Sequence, residues 1–206
     1  SSHDPEELAE RLPGVFDVVL VDAPCSGQAM LARGKQKNSS LSINQIEHSA
    51  SRQRRILDAA VRLLRDGGLL VYSTCTFAEA ENEAQIARLM HQGLATPVTS
   101  NHLDAFRSAE SCYRLWPHLH ECAGSFAAAV QVSRGAIDTP NLRHSHGDFK
   151  SPIDLQTWFA GLDSSLRLWQ HDSILIGWPS DAPRWVEQVA IAGPELAHRT
   201  GQTWKP

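Results

Sequence analysis

"VFDVVLVDAPCSG", residues 15–27, decides how the chain is read. Residues 15–21 are nearly continuous apolar, the pattern of a strand covered on both faces as in a parallel sheet. The run then stops at an acid, a proline and a cysteine: Asp22, Pro24 and Cys25. Fifty residues on, "LLVYSTCTF", 69–77, repeats the arrangement, with a buried strand over 68–73 ending at Thr74, Cys75 and Thr76. Between them the spacing predicts a helix from Ile43 to Arg65. Ser42 and Gln45 form its capping box, and Ile46, Ala50, Leu57, Ala60 and Leu64 lie on one buried face. Gly67-Gly68 supplies a left-handed exit. A second helix is expected from about Ala80, with Glu79, Glu81 and Glu83 in or beside its first turn, where the dipole favours acids. Strand, helix, strand, helix in this order reads as a right-handed parallel α/β unit.

In open α/β sheets the ligand crevice lies beyond the carboxyl ends of the strands. With one crossover helix between them the two strands are near neighbours, so Cys25 and Cys75 fall at one rim. A lone free cysteine is usually a small buried hydrophobe. Two of them at matching strand ends point to chemistry. Cys75 precedes a helix start, whose N–H groups favour a thiolate if the sulfur faces them, and a thiolate is the nucleophile for covalent addition. Asp22 is placed to hydrogen-bond or protonate a polar ring.

The chain has 206 residues and a mass of 22.7 kDa, enough for one core plus an appendage. No apolar run reaches the roughly 18 residues of a membrane span, and "SSHDPEELAERL" is not a signal peptide. Four widely spaced cysteines (25, 75, 112 and 122) indicate a reducing cytosol, so a cytoplasmic location is expected. The net charge of −4 assigns any nucleic-acid contact to a local patch or to chain outside these residues.

"YRLWP", 113–117, and "SFAAAVQV", 125–132, read as two later strands, a hairpin at the sheet edge. Residues 134–152 are linker-like, rich in Gly, Pro and small polar residues, and "HSH" at 144–146 belongs to that solvated stretch. Beyond them a small module mixes short strands with helical pieces and carries Trp158, Trp169, Trp178 and Trp185, read first as core. "CYRLWPHLHEC", 112–122, lacks a Cys-x-x-Cys knuckle, so no metal is expected. Arg52, Arg54, Arg55, Arg62 and Arg65 make the long helix basic, which a solvated face explains as well as phosphate contact does. Lys35 and Lys37, in the loop after Cys25, lie on the crevice side and are the better candidates for touching a nucleic acid.

"DAPCSG", 22–27, with "STCTFAEAENE", 73–83, resembles the paired motifs of the RNA cytosine-5 methyltransferases of the Nol1/Nop2/Sun family, and "RLWPHLHECAGSFAAAVQ", 114–131, is similar to that family's late strand motif. "LRLWQHDSILIGWP" and "AIAGPELAHRTGQTWKP" resemble the segment leading to a PUA-like domain in the bacterial small-subunit ribosomal RNA methyltransferase F group. The resemblance implies S-adenosyl-L-methionine as cofactor and RNA, small-subunit ribosomal RNA above all, as partner. It implies that Cys75 attacks carbon 6 of a flipped cytosine, that Cys25 assists release, and that Asp22 contacts the base. Asp22 and Pro24 would also line the methyl-donor site.

The fold expected is therefore α/β: an incomplete Rossmann-like methyltransferase sheet, its later strands only, with a small α+β C-terminal module. Its divisions are 1–133 for the C-terminal part of the methyltransferase domain, 134–152 for a linker and 153–206 for the module. No glycine-rich turn of the kind that cradles such a cofactor stands before Asp22. The missing N-terminal half of the same protein is then a further expected partner, and the isolated piece is expected to bind the cofactor poorly and to be inactive. The alternative is a non-catalytic RNA-binding or scaffold fragment.

Overall fold

The computed structural model describes residues 4–34, 41–133, 166–171, 173–182, 195–201 and 203–205. The chain divides into two compact units, Asp4–Pro140 and Asn141–Pro206 with the first three residues. The linker expected at 134–152 lies outside the described residues, as do Trp158 and Trp185.

The larger unit opens with helix α1 (Pro5–Arg11), started by Asp4, whose carboxylate accepts from the Glu6 amide at 2.9 Å, and by a proline in the first turn. Strand β1 (Phe16–Asp22) follows. Helix α2 (Ile43–Leu63) begins where Ser42 accepts from the Gln45 amide at 3.3 Å. It gives way directly to β2 (Leu64–Thr74), whose first residue is already extended. The Gly67-Gly68 pair thus lies inside the strand and is not the helix exit expected. Gly67 has φ +73, and a side chain on Gly68 would meet the carbonyl oxygen of Arg65 at 2.9 Å, so both glycines serve the bend by which the chain enters the sheet. A single 3₁₀ turn (Glu79–Glu81) precedes α3 (Glu83–His91), so the second helix starts later than the acid pattern suggested. Short strands β3 (Ala95–Pro97) and β4 (Arg107–Ala109), then β5 (Cys112–Leu115), the turn α4 (Pro117–His120) and β6 (Ser125–Val132) complete the unit.

The six strands make one mixed sheet in the order β1-β2-β6-β5-β4, with β3 also on β6. β1 and β2 are parallel and directly paired, the nearer of the two placements that a single crossover helix allows. β6 pairs antiparallel with β2, β3 and β5, so the expected hairpin exists but its second strand is central to the sheet.

Packing decides the two faces. The rows Val19–Leu70–Val130 and Val21–Tyr72–Ala128 point under α2 and α3, where Leu57, Ala60, Val61, Ile86 and Leu89 close the core. The opposite rows run Val18–Leu69–Gln131 and Leu20–Val71–Ala129. Val18 is 55% and Leu20 69% exposed. The apolar run of β1 had suggested cover on both faces; among the described residues one face has it.

The smaller unit holds an antiparallel sheet, β7 (Leu166–His171), β8 (Ile174–Pro179), β9 (Glu195–Thr200) and β10 (Thr203–Lys205), in the order β10-β9-β8-β7 around Leu175 and Ala197. No helix among the described residues is long and apolar enough to cross a membrane.

Candidate active site

The parallel register carries Asp22 opposite Ser73, and the Ala23 amide donates to the Ser73 carbonyl at 2.9 Å. Both chains then leave the sheet on the same side. Cys25 and Cys75 meet there with their sulfurs 3.2 Å apart, both half-buried. Asp22 is exposed at the rim and accepts from the Ser73 hydroxyl at 3.1 Å. Pro24 is exposed, and its carbonyl accepts from the Gln53 side chain at 3.1 Å. Lys35 and Lys37 lie outside the described residues.

The expected help from a helix start goes elsewhere. The Cys75 amide donates to the Cys25 sulfur at 3.4 Å. Beyond it, the amides of Thr76, Phe77 and Ala78 go to Thr74 Oγ1, Gln28 Oε1 and Thr76 Oγ1. Because α3 begins at Glu83, the turn in between is held by side chains instead.

Three consecutive residues supply that hold. Glu81 is fully buried and accepts from the Ser26 amide at 2.9 Å, the Ser26 hydroxyl at 2.5 Å and Gln53 Nε2 at 2.9 Å. Thr76 Oγ1 lies 3.4 Å from the same carboxylate. Asn82 accepts from Thr74 Oγ1 at 2.6 Å and donates to the Thr76 carbonyl at 2.9 Å, bracketing Cys75. Glu83 makes a two-pronged ion pair with Arg114 of β5. Glu81 was assigned by sequence to favourable placement in a helix turn; it faces the two cysteine loops instead.

The electrostatics separate the groups. Burial, with the Cys75 thiol as hydrogen-bond partner, pushes the Cys25 thiol up to about 12, so it is a protonated thiol at neutral pH. Burial likewise holds Tyr72 well above the usual phenol range, and its hydroxyl donates to the Glu81 carbonyl at 2.7 Å. Burial alone would raise Glu83, but the Arg114 and Ser108 hydrogen bonds outweigh it and lower its carboxyl. Cys112 is buried on β5, its thiol pushed to about 12 by desolvation, and acts as a core hydrophobe. Among the described residues no cluster of three His, Cys, Asp or Glu could hold a metal ion.

Beside Cys75, Phe77 stacks on Trp116 with ring centres 5.3 Å apart, and the Arg114 guanidinium lies 5.1 Å over the Trp116 ring. Gln53, Glu81, Asn82 and Arg114 are the site-building residues that sequence reasoning missed. The signal existed for Gln53, a polar residue on the apolar face of α2, between Ala50 and Leu57.

Asp22 and Pro24, the residues expected to line a methyl-donor site, lie at the strand ends, where Asp22 offers an exposed carboxylate next to Pro24. The only adjacent glycines, 67 and 68, lie at the opposite, amino end of β2.

The chain resembles known proteins along most of its length. The family model described as 16S rRNA methyltransferase RsmB/F matches residues 1–131. Ribosomal RNA small subunit methyltransferase F of Shigella boydii serotype 4 (strain Sb227) is 31% identical over 224 residues, covering 98% of this chain and 47% of the relative. The protein of the same name from Escherichia coli O17:K52:H18 matches with the same identity and coverage. The chain thus spans about half the length of the curated relatives it matches. Among solved structures, NSun6 from Pyrococcus horikoshii with SFG superposes with a TM-score of 0.54 and 27% identity, over 65% of this chain and 34% of that one. PH0851 gives 0.51 and 31%, over 57% and 27%. The mixed sheet is of the Rossmann-like methyltransferase kind, and the chain belongs to the 16S rRNA methyltransferase RsmB/F family.

Proposed function

We propose that this chain carries the cysteine half of a ribosomal RNA cytosine-5 methyltransferase site, in a protein working in the cytoplasm on small-subunit RNA. The observation that carries the reading is the pair of sulfurs 3.2 Å apart at the ends of two neighbouring parallel strands, beside an exposed carboxylate. Relatives named as small-subunit ribosomal RNA methyltransferases supply the substrate class.

Cytosine carbon 5 is a poor nucleophile until carbon 6 carries an added group. Cys75, as thiolate, forms the bond to carbon 6, and electron density moves to carbon 5. Asp22 holds the base edge. Asp22 and Pro24 would help hold S-adenosyl-L-methionine, which would supply the methyl group taken up at carbon 5. A solvent water or hydroxide takes the carbon-5 proton, the electron pair reforms the ring double bond, and the Cys75 sulfur leaves as a thiolate. Cys25 stays protonated because it is buried against its neighbour, so it suits a role at release, as a proton-bearing thiol, better than attack.

Trapping tests this in the full-length gene product with S-adenosyl-L-methionine and small-subunit ribosomal RNA. Cys25→Ala should accumulate a covalent protein–RNA adduct that survives denaturing electrophoresis, and Cys75→Ala should give none. The opposite pattern exchanges the two roles; no adduct from either variant rejects covalent catalysis.

A further inference from the structure

The roles just given need the two thiols held at a fixed separation, and the geometry points to Glu81 as the residue that does this. We propose that Glu81 is a positioning residue: a buried carboxylate that ties the Cys25 loop to the Cys75 loop. This rests on the reading that both thiols act on one base.

Its hydrogen-bond donors come from the two loops and one helix. The Ser26 amide and hydroxyl adjoin Cys25, the Thr76 hydroxyl adjoins Cys75, and Gln53 Nε2 also reaches the Pro24 carbonyl at 3.1 Å. The Thr76 and Ser26 hydroxyls lie 2.8 Å apart, so one hydroxyl chain runs between the loops and ends on Glu81. A carboxylate only accepts and has about four lone-pair sites, which matches this donor set; an amide would turn a donor towards donors. Among the described residues no cation pairs with Glu81, in contrast to Glu83 beside it. A buried charge without a counter-ion is expensive wherever mere turn packing is needed. Here its hydrogen bonds are shared between the two sulfur-bearing turns.

The test uses the 206-residue chain. Diamide takes one hydrogen from each thiol, becoming the hydrazine, and leaves a Cys25–Cys75 disulfide whose rate of formation reads the sulfur separation. Wild type should cross-link readily. Glu81→Ala should slow the reaction at least tenfold, and Glu81→Gln, which keeps one acceptor oxygen, should fall between. Cys112 must stay protected from iodoacetamide in each, as the sign of an intact core. Cross-linking of Glu81→Ala at the wild-type rate, with Cys112 protected, overturns the proposal. If Glu81→Ala does not fold, Ser26→Ala/Thr76→Val decides by the same criterion: a tenfold loss supports it and the wild-type rate overturns it. In the full-length enzyme Glu81→Gln should lower kcat while KM for RNA stays within twofold. Failure of the adduct test together with slowed cross-linking in Glu81→Ala would remove the chemical reading and leave the positioning intact; wild-type cross-linking in Glu81→Ala with adducts present would do the reverse.

Discussion

Asp22 and Ser73 stand opposite each other across the parallel β1–β2 pair, joined by the Ser73 hydroxyl at 3.1 Å. That register brings Cys25 and Cys75 to one rim of the sheet. A shift by one residue would turn Asp22 to the other face of the sheet and part the thiols beyond it.

The first prediction concerns Cys25. A thiol raised to about 12 is protonated through neutral pH, and its alkylation rate follows the thiolate fraction. Mass spectrometry after iodoacetamide should show Cys25 labelling still climbing, about tenfold per pH step, beyond pH 9. Burial is the larger cause, so the climb should persist in Cys75→Ala. A plateau near pH 9 in wild type would be inconsistent with the buried thiol described. Because the folded chain holds this proton more tightly than the unfolded one, the associated stability is present below pH 9 and is lost as pH rises towards 12.

A second prediction concerns Glu83 and Arg114, whose side chains are 15% and 7% exposed. The folded carboxyl lies below its ordinary value of 4.5, so the pair stabilises above that pH and its contribution fades as acid titrates the folded group. Glu83→Gln should flatten the acid limb of a plot of melting temperature against pH. Arg114→Ala should cost roughly 3 kcal/mol, the low end for breaking a buried pair, since Glu83 keeps some solvent. Arg114→Lys should recover little of it, because a point charge cannot replace the fork. Urea unfolding of the three variants measures each value.

Gly124 gives a third. Its φ of +100 excludes most side chains, and a Cβ there would lie 2.4 Å from the Phe77 ring. Gly124→Ala should push Phe77 off Trp116 and destabilise by roughly 2–3 kcal/mol, through backbone strain and overpacking together. A blue- or red-shifted tryptophan emission should accompany the lower melting temperature. An unchanged melt would mean the loop yields freely.

The fourth concerns the open sheet face. Val18 and Leu20 are exposed on an edge strand, which invites association. Val18→Lys/Leu20→Lys should reduce light scattering of the concentrated 206-residue chain and change its melting temperature little. Increased scattering would show that the two residues support the fold.

Local chemistry in the sequence determined the main strands, the crossover helix and the meeting of the thiols. The apolar runs of β1, β2 and β6 and the single crossover helix leave few topologies, and Cys25 and Cys75 follow strand ends that such a topology makes adjacent. What periodicity does not carry is the side to which a polar residue turns once neighbours arrive. Glu79, Glu81 and Glu83 look alike as an acidic helix start, yet the tertiary structure exposes the first, buries the second among donors and pairs the third with Arg114. Gln53 interrupts an apolar stripe for a reason visible only when Pro24 and Glu81 lie beside it. Likewise an apolar run states that a strand can be buried, whereas its neighbours decide on which faces it is; hydrogen-bond partners distant in sequence are set by packing, and packing is settled only by the whole fold.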